Sequence, residues 1–229
     1  MSGLLQAVMF DMDGLLVDTE PAWYDVECAV MARLGGPWTP ADQEALLGGS
    51  MSRTVVYLLA RAEHPVPPAV VESWLVEGMC DRLRQGISVR PGARELLDGL
   101  AAAGVPTALV SSSYRVLVDA VLAEVGHHRF AFSVSGDEVR RPKPHPEGYL
   151  RAAAALGVEP RWCVVLEDSD NGAAAGVAAG FPTVCVPSVV PIPAGPGRLP
   201  RESLLAITPE WLATVPGTVP VPVPVPPAA

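Results

Sequence analysis

Lysine is nearly missing from this sequence: Lys143 is the only one among 16 basic residues in a chain of 229, the others being arginine. Basic runs are absent too, and 25 acidic side chains set the formal net charge at −9. That balance argues against nucleic acid or an anionic membrane surface as a partner. Cysteine is scarce. The four thiols, Cys28, Cys80, Cys163 and Cys185, form no CxxC pair and have no histidine at zinc-ligand spacing. They fit the free thiols of a reducing compartment better than a disulfide framework. No basic n-region or cleavage site precedes Asp11, so no secretory signal is read. The longest uncharged stretch, 171–197, holds five prolines and several glycines, which excludes a membrane-spanning helix. The expectation is a soluble, cytoplasmic, monomeric protein.

What is abundant is proline, 25 residues against roughly 11 at average usage. Residues 1–181 carry 12 and residues 182–229 carry 13, so an ordinary globular body precedes a proline-rich end. Apolar residues make up 49% of the chain, enough for a sizeable core.

Short apolar runs in the body alternate with helical patterns. Strands are expected at 5–10, 105–110, 130–134, 162–166 and 183–186. Helices are expected at 93–103, 116–125 and 147–156, with Gly104, Gly126 and Gly157 at their stops. Continuous apolar strands separated by helices predict a parallel sheet covered on both faces. Residues 18–90 break this rhythm and read as helices only, at 22–34, after Thr39, at 52–63 with Ser52 as N-cap, and at 69–85. This block reads as a small separate domain over the sheet. The stretch 187–200 reads as a loop, and 214–229, with its Val-Pro alternation, as an extended or disordered tail whose deletion spares turnover.

In parallel α/β sheets ligands bind beyond the carboxyl ends of the strands. Three such ends are polar: Asp11-Met12-Asp13-Gly14, Ser111-Ser112-Ser113 and Glu167-Asp168-Ser169-Asp170. A fourth segment, Arg141-Pro142-Lys143-Pro144, follows the third strand. Asp11, Asp13 and Asp168 would offer hard oxygen ligands suited to Mg²⁺. A carboxylate beside such an ion can attack a phosphoryl group, and a second can move the proton. Ser111, the Ser112 amide and Lys143 would hold the phosphoryl oxygens. The single lysine falls in this set, where a compact ammonium and a planar guanidinium are not equivalent.

These residues carry a resemblance. DMDGLLVDTEP, Ser111, the Lys143-Pro144 pair and LEDSDNG stand in the order of the four motifs of the haloacid dehalogenase-like superfamily of phosphohydrolases, over residues 5–187. Within it the chain is most similar to small bacterial sugar-phosphate phosphatases and to β-phosphoglucomutase. The resemblance implies a Rossmann-like, doubly wound parallel sheet core formed by 1–17 and 91–213, with an inserted four-helix cap at 18–90. It implies Asp11 as nucleophile and metal ligand, and Asp13 as general acid/base, binding the metal through its backbone carbonyl. It further implies Ser111 and Lys143, with Ser112 and Ser113 as weaker candidates, on the phosphate, and Asp168 with Glu167 on Mg²⁺. The expected partner is a small phosphorylated metabolite.

Other activities of the superfamily fit less well. Asp13 argues against a dehalogenase, and the absence of a cap lysine closes a Schiff-base phosphonatase route. A β-phosphoglucomutase-like mutase would carry a cap histidine where Trp23 stands, and Arg53 falls two residues late for that family's pattern. A catalytically idle binding protein on the same fold is the reading from another class. Trp23, Val26, Val30 and Leu34, at helical spacing, read as helix-packing core, and His145 as a support of its loop.

Overall fold

The computed structural model describes residues 5–64 and 66–218. The chain runs β1 (Ala7–Phe10), α1 (Glu20–Leu34), α2 (Pro40–Glu44), α3 (Met51–Leu59), α4 (Pro68–Arg84), α5 (Ala93–Ala102) and β2 (Thr107–Val110). It continues through α6 (Arg115–Val125), β3 (Phe132–Val134), α7 (Glu147–Leu156), β4 (Cys163–Glu167), α8 (Asp170–Ala178), β5 (Thr183–Cys185), β6 (Arg198–Pro200) and α9 (Pro209–Leu212). The six strands form one sheet in the order β3–β2–β1–β4–β5–β6, every neighbouring pair parallel. This is a Rossmann-like, doubly wound α/β fold. The strand order reverses at β1, between β2 and β4, which is where such sheets open a crevice.

Both faces of the sheet are dry, and strand alternation divides them. Val8 and Phe10, with Val164 and Leu166, pack towards α5, α6 and α9. Ala7 and Met9, with Cys163 and Val165, pack towards α7 and α8. Central strands buried on both sides therefore read as continuous apolar runs. β6 does not. It is a three-residue edge strand ending in proline, so 187–200 contains a strand where a loop is expected, and its partial exposure removes the apolar signal.

Helices α1–α4 lie between β1 and β2 and gather their own apolar cluster, including Val30, Leu34, Leu58, Val71, Leu75 and Met79. Leu117 of α6 joins that cluster, so the inserted helices rest on the rim of the sheet domain. Ser50, rather than Ser52, caps α3: its hydroxyl accepts the Arg53 N–H at 3.4 Å. α1 ends at Gly35 in the left-handed region, φ 83°, where glycine carries no Cβ penalty. Entry to and exit from the insertion are tied together. Val17 bridges both Asp13 and Val89. The Asp18 N–H donates to Ser88 O at 2.8 Å and the Arg90 N–H to Leu16 O at 2.8 Å.

The four thiols are free, and no helix among the described residues is long and apolar enough to cross a membrane. The boundary of the tail needs moving. Val215 is 3% exposed and belongs to the sheet's core cluster, so residues 214–218 are docked structure. A buried Val215-Pro216 pair is too short to give a periodic signal of this. Residues 219–229 lie outside the described residues. Val215→Ala should cost about 2 kcal/mol for the lost methyl groups and the cavity. In a chain of this size that lowers the melting temperature by roughly 4–8 °C, measurable by calorimetry.

Candidate active site

The polar strand ends expected to converge do so at the reversal point. Asp11 follows β1, its N–H donating to Leu166 O at 3.0 Å. Lys143 reaches across with its ammonium, donating to Asp11 Oδ1 at 2.5 Å, Glu167 Oε1 at 2.6 Å and Val110 O at 2.9 Å. Its side chain is 7% exposed, and the Tyr149 ring lies 5.0 Å from Nζ. Glu167, fully buried at the end of β4, also accepts the Tyr149 hydroxyl at 2.5 Å. Asp168 Oδ2 accepts from the Ser188 hydroxyl at 2.6 Å.

Close approach is possible because glycines stand where a side chain would collide. A Cβ on Gly14, whose φ is +77°, would fall 2.0 Å from Asp168 Oδ2. One on Gly172 would fall 1.9 Å from Glu167 Oε1.

The electrostatics follow from burial. Asp11 and Asp168 are raised well above the usual carboxylate range, first by desolvation and then by the Glu167 charge. Lys143 is held charged by Asp11 and Glu167, which outweigh its own desolvation. Asp11, Glu167 and Asp168 each bring an oxygen within 4.8 Å of the others. Fully ionised, as a bound cation would hold them, three carboxylates against one ammonium carry two negative charges, and every donor is a hard oxygen. That set fits a divalent cation such as Mg²⁺.

Asp13 stands apart from the three. Its carboxylate accepts from the Thr19 hydroxyl at 2.7 Å, Ser113 at 2.8 Å, Ser111 at 3.3 Å and the Trp23 indole at 3.3 Å. Ser111 Oγ in turn accepts the Ser113 N–H at 2.9 Å. Ser112 lines the cleft with a buried hydroxyl that has no hydrogen-bond partner. His145 stays in its own loop, its Nδ1 accepting the Glu147 N–H at 3.1 Å.

Ser113, expected only as a weaker candidate, approaches Asp13 more closely than Ser111 does. Other neighbours went unread in the sequence. Trp23, expected only as helix-packing core, turns its N–H to Asp13. Glu20 and Glu27, on the same face of α1, line the cleft as well. The spacing Glu20, Trp23, Glu27 is i, i+3, i+7, a signal masked by the apolar stripe beside it. Burial pushes both carboxyls up to about 8, with the Asp13 charge adding to the shift at Glu20. Trp38 draws Glu27 slightly the other way, yet neither Trp38 Nε1 nor Glu27 Oε2 closes a hydrogen bond.

A carboxyl raised in the fold from 4.5 to about 8 gives its full contribution to stability below 4.5 and loses it as the pH rises through 8. Glu27→Gln is therefore expected to melt like the parent at acid pH and higher than it at pH 8. Melting curves across that window check this; parallel curves would refute it.

The sheet, its reversal point and the carboxylate cluster define a haloacid dehalogenase-like hydrolase: residues 5–180 match that family's model, and the chain belongs to the family. Hexitol phosphatase B of Escherichia coli (strain K12) is 34% identical over 186 residues, covering 80% of this chain and 83% of its own. Protein CbbY of Rhodobacter capsulatus is 30% identical over 195 residues, 80% of this chain and 86% of its own. Among solved structures, CbbY from Rhodobacter sphaeroides in complex with phosphate aligns with a TM-score of 0.80 at 26% identity, over 89% of this chain and 96% of that one. A mutant of that protein in complex with xylulose-(1,5)bisphosphate aligns at 0.83 and 25%, over 91% and 99%.

Proposed function

We propose that this hydrolase cleaves a small phosphate monoester, a sugar or polyol phosphate, through a phosphorylated Asp11. The observation that carries the reading is the buried Lys143 ammonium between Asp11 and Glu167, beside a second carboxylate, Asp13, held by hydroxyls.

Asp11 attacks phosphorus with one carboxylate oxygen, forming an acyl phosphate as the bond to the leaving oxygen breaks. Asp13 gives that oxygen a proton and leaves as the free anion. It then takes a proton from water, whose oxygen attacks the same phosphorus. The bond between phosphorus and the Asp11 oxygen breaks, freeing inorganic phosphate and the Asp11 carboxylate. Thr19, Trp23, Ser111 and Ser113 aim Asp13 while it exchanges that proton. Lys143 and the Ser111 and Ser112 groups hold the phosphoryl oxygens. Bound to Asp11, Glu167 and Asp168, Mg²⁺ would offset the phosphate's charge and let a carboxylate approach it. In this reading α1–α4 act as the cap, bringing Trp23, Glu20 and Glu27 over the phosphate and shielding the acyl phosphate from bulk water.

Hydrolysis is favoured over a mutase because Lys143 is the sole basic side chain lining the cleft. A mutase must anchor both ends of a bisphosphate, whereas hydrolysis needs only water. A panel of sugar, polyol and nucleotide monophosphates, assayed for released phosphate, tests the reading. Turnover should require Mg²⁺ and stop with EDTA. Absence of turnover on the whole panel would return the chain to an idle binding protein. Interconversion of hexose phosphates with a bisphosphate primer would make it a mutase.

A further inference from the structure

The cleft has two ends of opposite chemistry. Lys143 and the motif hydroxyls form one. The other, beneath the inserted helices, is lined by Glu20, Trp23, Glu27, Gln43, Ser50 and Thr54 and holds no cation. Arg53, the nearest arginine in sequence, donates to Ala45 O at 2.7 Å and lines an adjoining groove beside Glu44 and Asp170, which shares Leu47, Asp168 and Ser169 with the cleft.

Glu27 is the anomaly at this end. It is 4% exposed and lines the cleft, and its buried Oε2 closes no hydrogen bond, not even with the neighbouring Trp38 indole, whose Nε1 is unpartnered as well. A buried polar atom without a partner costs about 1–3 kcal/mol, so a native chain keeps one mainly where something else completes it. Glu20, two helical turns earlier, is held in place by Gln43, whose Nε2 donates to Glu20 O at 2.7 Å and Oε2 at 3.3 Å.

We infer that Glu27, supported by Glu20, is the specificity residue that hydrogen-bonds the hydroxyl groups of an uncharged polyol chain and that this end of the cleft excludes a second phosphate. The inference rests on the phosphatase reading above and deepens it, naming the substrate class as polyhydroxylated monophosphates. Two chemical facts support it. A carboxyl that keeps its proton at neutral pH both donates and accepts, as a chain of hydroxyls requires. A second phosphate buried here would meet carboxyls and no counter-charge, which desolvation makes prohibitive.

Steady-state kinetics on a hexitol monophosphate, the bisphosphate of the same hexitol, an amino-sugar phosphate and ethyl phosphate test this. The parent protein should prefer the monophosphate over the bisphosphate by a hundredfold or more in kcat/KM. Glu27→Leu, which can neither donate nor accept, should lower kcat/KM on the hexitol monophosphate at least tenfold more than on ethyl phosphate, mainly through KM. An equal loss on both would make Glu27 structural and overturn the inference. Bisphosphate turnover matching the monophosphate, or a preference for the amino sugar, would overturn it from the parent protein alone, whatever the variant's folding. In all three cases ethyl phosphate turnover would leave the hydrolytic reading standing. A parent protein inert on every ester would remove both.

Discussion

Asp11→Asn should abolish phosphate release and at the same time raise the melting temperature. The two effects have one origin. Asp11 is buried beside Glu167 and Asp168, and its carboxyl is raised by desolvation and by their charge. The protein therefore spends stability to hold a nucleophile there. An amide of the same shape still accepts from Lys143 but adds no charge, so the fold gains while the attacking oxygen is lost. Loss of a covalent nucleophile costs about a thousandfold or more in kcat, as in other hydrolases that work through one. Paired kinetics and thermal melts decide the matter. Retained turnover would sink Asp11 as nucleophile, and a lower melting temperature would show that its charge is needed by Lys143.

Lys143 should behave in the opposite way, because its removal hurts fold and function together. Its ammonium is the only positive charge set among the buried carboxylates, in hydrogen-bond contact with two of them. Lys143→Met leaves Asp11 and Glu167 buried without it, which should cost about 4 kcal/mol. Lys143→Arg keeps the charge but asks a flat fork to fill a slot bounded by the Tyr149 ring, Val110 O and two carboxylates. It should fold more stably than the methionine variant and still lose about a hundredfold or more in kcat/KM. Denaturant titrations rank the stabilities, and phosphate release ranks the activities. An arginine variant with near-parental turnover would mean that charge alone, without the shape of the ammonium, is what the site requires.

Much of this was legible in the residues, for a physical reason. Central parallel strands are dry on both faces, so β1, β2 and β4 stand out as apolar runs, and the polar residues that end them are the ones meeting at the crevice. The edge strand β6 carries no such contrast. Val215 is buried with only Pro216 beside it, and two residues make no pattern. Glu27 and Trp23 were hidden differently. They share α1 with Val26, Val30 and Leu34, and an apolar stripe accounts for a helix so fully that the polar face beside it passes as solvent-facing. Tyr149 was hidden as well, since nothing local tells that an aromatic side chain of α7 will donate to a carboxylate on β4. Long-range pairings of this kind arise only once the sheet is assembled.

The paired backbone segments at Leu16–Asp18 and Ser88–Arg90 have a consequence for how such a chain can change. Because departure and return are side by side, the strands beyond them never sense how much chain intervenes. Doubling the length of a closed loop adds only about 0.6 kcal/mol to its closure. An unrelated helical segment grafted between those two points would leave the carboxylate cluster in register. The part proposed to choose the substrate is thus exchangeable, and the sheet that carries the carboxylate cluster is not.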